Sequence, residues 1–332
     1  MSRWLNIGGI PVRLDSSVPT SIEVVNNISQ ATDSDTLYIV AEDSTPGSLV
    51  GLRANGWPGS LVSSVMIGGD TVWQSSTLEA IGGTITEIDV AGVNYRVHTF
   101  TESGNFEVLS GVADIEYLIV AGGGGGGSGY AGGGGVLVGV NTSTLLGDYP
   151  VTVGSGGAPG TSGNSSSMFG LNAVGGGAGG SFSNGGAGGS GGGGGATYYT
   201  YYTGGLATSG QGHDGGAGQP NGGSNAYWAG GGGGGALSQG SARITSFGGN
   251  GGEGLNLSIN GSTIVVGSGG GGAVRSGGGT QGIGGVGAGS GVALPSGTSA
   301  VMNRGGGGGG GGNSGAAGGA GGSGIVIVRY PY

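Results

Sequence analysis

Four uninterrupted glycine runs, at 122–127, 191–195, 230–235 and 305–312, leave this chain few ways to fold. A backbone without Cβ atoms lets neighbouring segments approach until main chain meets main chain. Extended threefold segments then hydrogen-bond sideways to several neighbours at once. The runs therefore predict a polyglycine II core. A flexible Gly/Ser linker is the competing reading of the same composition. Apolar residues between the runs and strand-like segments on either side weigh against it.

Glycine fills 97 of 332 positions, so a mass of 31.0 kDa carries little side-chain volume and the hydrophobic core has to be modest. Seventeen acidic residues face eight basic ones, all eight are arginine, and the net charge is −9. Without a basic cluster there is nothing to neutralise phosphates, which argues against nucleic acid and against charge-driven membrane binding. Cysteine is absent, so neither disulfides nor thiolate metal sites hold the fold. The opening residues run from Met1 to Pro11 before any apolar stretch develops, so we expect neither a signal peptide nor membrane insertion.

Only thirteen glycines fall in residues 1–121, whereas positions 122–324 are about two-fifths glycine and hold six charged residues. The first part reads as all-β: runs at 37–41, 60–67, 71–73, 85–90, 95–100 and 115–120 alternate with turn signals at 43–47, 68–70 and 102–105. Helix signals are weak, the best being 21–30 and 76–81. The run 115–120 enters the glycine region and the run 325–330 leaves it. We expect these two to pair antiparallel, with 136–140 and 149–153 adding strands. The fold class is thus all-β: small β-sandwich domains with an inserted polyglycine II bundle and little or no α-helix. Domain boundaries fall at 1–83, at 84–153 plus 323–332 for the sandwich, and at 154–322 for the bundle. Ordering glycine costs more backbone entropy than ordering any other residue, and backbone hydrogen bonds must recover that cost. Central rods should then be pure glycine, and outer rods should carry the Ala, Ser and Asn.

Tyr95-Arg96-Val97-His98-Thr99-Phe100, Ser103-Gly104-Asn105-Phe106 and Ile115-Glu116-Tyr117-Leu118-Ile119-Val120-Ala121-Gly122-Gly123-Gly124 form an ordered series. It continues with Tyr149-Pro150-Val151-Thr152-Val153-Gly154-Ser155-Gly156-Gly157, Gly163-Asn164-Ser165-Ser166 and the closing Gly322-Ser323-Gly324-Ile325-Val326-Ile327-Val328-Arg329-Tyr330. Over roughly 84–330 this resembles the glycine-rich domain of bacteriophage tail proteins. Some phage tail-fibre adhesins are similar in carrying a polyglycine II sandwich whose distal loops touch the host receptor. The resemblance implies a virion protein of the tail fibre or baseplate that binds a host cell-surface receptor, either polysaccharide or outer-membrane protein. It implies a homotrimer, with a monomeric tip on a trimeric fibre as the alternative. Residues 1–83 fall outside the resemblance, and we expect them to make the contacts to other virion tail proteins.

Tyr198, Tyr199, Tyr201 and Tyr202, with Tyr227 and Trp228, flank one loop in a region otherwise nearly free of aromatics. Such rings offer broad contact area at low entropy cost and suit sugars or protein receptors; they equally suit caps on rod ends or a subunit interface. His213 and Asp214 fall on the same loop and complete the candidate receptor-binding set. One carboxylate is too few oxygen ligands for a strong calcium site, so we expect no metal and no cofactor. The G-x-S-x-G at 188–192 follows from glycine abundance, lacking the strand, helix and histidine that a nucleophile elbow needs. The carboxylates Asp33, Asp35, Glu42 and Asp43 read as turn charges rather than a glycosidase pair. We expect no enzymatic activity. A virion scaffold or decoration protein is the second function, and an ice-binding protein the third, although no G-x-x period is sustained.

Overall fold

The computed structural model describes the backbone of six short strands between residues 3 and 74, and residues 78–111, 113–127, 135–141, 147–195, 197, 199–218, 229–243, 247–274, 296–312 and 316–332 in full. Among the described residues there is no α-helix, and so no helix long and apolar enough to cross a membrane. In the first part Arg3–Ile7, Ile10–Leu14, Leu37–Val40 and Gly51–Ala54 form one sheet in that order. Its middle pair is parallel and the outer pairs are antiparallel. Ser64–Ile67 and Asp70–Gln74 form a separate antiparallel pair. The first two strands and Gly51–Ala54 were not among the expected runs. The weak helix signal at 21–30 lies outside the described residues. That at 76–81 is overturned: Glu79–Ile81 is a strand, because Ala80 is needed in the sandwich core beside Val108.

Two antiparallel sheets make the sandwich. The larger runs Val136–Asn141, Ile115–Val120, Ile325–Pro331, Val93–Phe100, Thr84–Val90, and the smaller runs Gly147–Val151, Gly104–Ser110, Glu79–Ile81. Ile115–Val120 and Ile325–Pro331 pair antiparallel as expected, with Glu116 opposite Arg329. Arg329 Nε and Nη2 donate to Glu116 Oε2 at 3.1 and 2.8 Å, and the guanidinium covers the Tyr95 ring. The run of β-branched residues at 325–328 has no polar alternation because both faces of its sheet are buried. Val326, Val328 and Tyr330 face Phe106, Val108 and Val151 between the sheets. Ile325 and Ile327 face the other way, onto Leu118, Val136 and a hairpin of Leu255–Leu257 and Ile264–Val266 that comes out of the glycine region.

His98 is wholly buried in this core. Its Nδ1–H donates to the Gly82 carbonyl at 2.8 Å, and its Nε2 takes the Tyr330 hydroxyl at 3.1 Å. Burial holds its pKa below the ordinary imidazole range, and the nearby Arg96 charge pushes the same way against the Gly82 hydrogen bond. The ring is therefore a neutral structural group. Phe169 and Gly170 turn the Ser166–Met168 to Leu171–Ala173 hairpin with φ of 54° and 73°. A phenylalanine at positive φ is strained, and here its ring packs edge-on to Phe106 and Tyr149 with centroids 6.3 and 5.1 Å apart.

From Ala121 the chain stops being a sheet and becomes a rod. The N–H groups of Gly122 and Gly125 donate to Asn164 and Thr161, and those of Gly123 and Gly126 to Gly322 and Gly319. Its carbonyls accept in the same period: Gly122 and Gly125 from Gly176 and Gly179, Gly123 and Gly126 from Gly157 and Gly160, Gly124 and Gly127 from Gly308 and Gly311. Every neighbour is met at each third residue, which is the threefold repeat of polyglycine II. Rising partner numbers mark parallel rods and falling ones antiparallel rods, so this rod is laced to five others of mixed direction. Residues 230–236 repeat the pattern: Gly230, Gly233 and Ala236 donate to Ala273, Gly270 and Gly267, Gly231 and Gly234 to Gly194 and Gly191, Gly232 and Gly235 to Ser241 and Ser238.

Space, more than torsion, demands glycine inside these rods. None of the glycines at 122–127, 191–195 or 230–235 has positive φ. Yet a Cβ on Gly123 would collide with the Gly306 carbonyl, and one on Gly231 with that of Gly216. The runs 122–127, 191–195, 230–235 and 305–312 are buried throughout, while Ser, Ala, Asn and Thr appear on partly exposed rods such as 155–164 and 237–242. The expected division between central and outer rods holds for these four runs, but not throughout: Ser190, Ser268 and Ala273 are buried among the rods.

Candidate functional site

The residues singled out from the sequence do not all share one loop. Tyr198, Tyr227 and Trp228 lie outside the described residues. Tyr199 and Tyr201 project into solvent, at 91% and 54% exposure. Tyr202 is half-buried and its backbone is bridged to Gly218, N to O at 3.3 Å and O to N at 3.0 Å. His213 and Asp214 belong to a rod, which corrects their placement on a loop. The His213 N–H donates to Gly235 and its carbonyl accepts from Gly191, while the Asp214 carbonyl accepts from Gly240. The physical reason is the lattice: once 191–194 and 230–236 are in place, the groove between them is filled by 213–216, whatever side chains that segment carries.

That rod still brings two candidates together. Tyr201 and Asp214 line one open cleft of about 610 Å³, together with Thr203, Gln239 and Ser241. Its floor is main chain, from 204 and 215–216. The Ala207 N–H donates to Asp214 Oδ1 at 2.7 Å, which fixes the carboxylate. Its other oxygen, the Tyr201 hydroxyl and the Gln239 carboxamide hold no hydrogen bond to another described residue. His213 points elsewhere: its ring is exposed, and Nδ1 lies 3.3 Å from the Gly235 carbonyl. The cleft thus offers an aromatic face, a carboxylate, a carboxamide and the hydroxyls of Thr203 and Ser241, and no basic side chain on its lining.

Gln239 and Ser241 were missed by the sequence reading. A usable signal was present, since a long polar side chain is rare in this glycine tract. A second glutamine shows the structural use of that rarity: Gln211 Oε1 accepts from Val174 N at 2.8 Å and its Nε2 donates to Asn172 O at 2.9 Å, a strut between segments. Ser190, the central residue of the G-x-S-x-G pattern, is fully buried with an unpaired hydroxyl. It sits inside the lattice and presents nothing to a substrate.

The family model for a glycine-rich domain matches residues 99–331, spanning most of the sandwich and all the rods. No curated protein and no solved structure matches the chain. With its family model covering well over half its length, the chain belongs to the glycine-rich domain family.

Proposed function

We propose that this protein is a phage virion component of the tail fibre or baseplate that attaches the particle to its bacterial host. The observation that carries the reading is the exposed Tyr199 and Tyr201 on a body held by main-chain hydrogen bonds, which leaves a binding surface little freedom to lose. The resemblance of residues 84–330 to phage tail glycine-rich domains supports it. In this reading residues 1–83 dock onto other virion proteins, the protein works in the virion after assembly in the bacterial cytoplasm, three copies form the working unit, and no catalysis is involved. Purified protein should coat host cells. Replacing Tyr199, Tyr201 and Trp228 by alanine should cut that coating at least tenfold with an unchanged melting curve. Unmodified protein that leaves cells bare would turn the assignment toward a purely structural virion role. A sedimentation mass of three chains is expected, and one chain would make it a monomeric tip.

A further inference from the structure

We propose that the cleft between Tyr201, Asp214 and Gln239 is a saccharide site, taking a neutral, hydroxyl-rich unit of a surface glycan. This deepens the attachment reading and rests on it for the glycan's source. Three features fix the ligand class. The volume of about 610 Å³ falls in the range of small-molecule sites. The lining holds one carboxylate and no basic side chain in a chain of net charge −9, so an anionic ligand would meet repulsion and no counter-charge. Apolar side chains on the wall are limited to Ala217, Ala242 and the Tyr201 ring, too few for a purely hydrophobic ligand.

What remains is chemistry suited to a sugar. The exposed Tyr201 ring gives a flat apolar face for the C–H side of a pyranose. The open Asp214 oxygen accepts from hydroxyls, and the Gln239 carboxamide both donates and accepts. The Ala207 N–H already aims the carboxylate, and the rods beneath are immobilised by their neighbours, with Gly216 donating to Gly232 and Gly215 to Gly205. Little ordering is therefore left for binding to supply.

The test is an immobilised panel of neutral, anionic and amino-sugar oligosaccharides probed with the full chain. Retention of neutral glycans is expected, weakened about tenfold or more by Tyr201→Ala and about threefold by Gln239→Ala, the pattern of one aromatic anchor with polar support. Tyr201→Phe, which keeps the ring, should stay within about threefold of the parent, and Leu237→Ala, outside the cleft, should change nothing. Retention of charged glycans alone, no retention at all, or indifference to Tyr201→Ala overturns the proposal. Protein that still coats cells stripped of surface glycan overturns it while leaving attachment standing. Tyr201-dependent glycan binding by protein that coats no cells keeps the cleft and overturns attachment.

Discussion

The sandwich and the rod lattice solve the same problem with opposite materials. In the sandwich, side chains such as Phe106, Ile119, Val328 and Tyr330 fill the space between sheets, and the core is a matter of volume. In the lattice there is almost no side-chain volume, and cohesion comes from N–H to carbonyl bonds in several directions from each rod. Each such bond contributes only about 1 kcal/mol net, against a backbone ordering cost of about 1–2 kcal/mol per residue. The lattice holds only when nearly every strut is made and the rods pack closely enough to add dispersion. A side-chain core tolerates a lost methyl group; a main-chain core should not tolerate a gained one.

The sharpest way to break this contrast is Gly123→Ala with Gly126→Ala. Both new methyl groups would strike carbonyls of one neighbouring rod, at Gly306 and Gly309. Gly→Ala restricts the unfolded chain and by itself stabilises by about 0.4–1 kcal/mol. The obstructing atoms are backbone, however, and moving them breaks bonds such as Gly307 N to Ser268 O and Gly309 N to Thr298 O. We expect a loss of about 3 kcal/mol or more per site, at the upper end of overpacking costs. Chemical denaturation should show the double variant unfolded or nearly so. A melting temperature within a few degrees of the parent would mean the rods are not cooperatively packed.

Phe106→Ala probes the other core. This ring is fully buried among His98, Tyr149 and Phe169, and its removal should cost about 3–5 kcal/mol. The strand Ile115–Val120 runs directly into rod 122–127, and 316–324 runs directly into Ile325–Pro331. The two cores should therefore melt in one transition, and the variant should lower that single transition. Two separated transitions, only one of them shifted, would show that the regions fold independently.

These two cores were unequally legible in the sequence. The sandwich strands could be read because the largely apolar run at 115–120 and the β-branched run at 325–328 stand out against glycine and flank the insertion. The rods could be read from composition, since runs of glycine have few ordered alternatives. Their connectivity could not. A threefold repeat of identical residues carries no register, so nothing in 213–216 announces that it lies between 191–194 and 230–236. The cleft was hidden for that reason, because Tyr201, Asp214 and Gln239 come from three segments made neighbours by the lattice alone. The hairpin Leu255–Leu257 with Ile264–Val266 was hidden for another: segments as short as Leu-Asn-Leu and Ile-Val-Val gain meaning only beside the open sheet face they cover.

Acid offers a milder way to separate the two regions, since both described histidines differ in setting: His98 is buried in the sandwich, His213 exposed on a rod. The folded state holds His98 below its unfolded pKa of about 6.5. As pH falls through that unfolded value, the unfolded chain takes up a proton that the folded chain refuses, so stability declines with acidity. It is fully present above about pH 6.5 and is lost progressively below it. Protonation would also give Nε2 a hydrogen facing the Tyr330 hydroxyl, which Nε2 now accepts from. His98→Gln, which cannot titrate, should flatten stability against pH between about 5 and 7, at lower stability overall. An unchanged slope in that variant would move the effect to other groups.

The smallest expected change is a gain, at a turn that belongs to neither core. Ala91 and Gly92 join Thr84–Val90 to Val93–Phe100 with φ of 55° and 84°, a two-residue turn of the kind that fits the strand twist and favours Asn-Gly. A left-handed alanine costs about 1–2 kcal/mol in steric strain. Ala91 is exposed, so no packing offsets that strain. Glycine at 91 would remove the strain but enlarge the unfolded ensemble, whereas asparagine tolerates the torsion and keeps a Cβ. Ala91→Asn should therefore stabilise by about 0.5–1 kcal/mol and exceed Ala91→Gly. The comparison with Gly123 is direct: there the torsion permits alanine and space forbids it, here space permits alanine and torsion resists it. If Ala91→Asn destabilised the chain, the torsional half of that distinction would be wrong.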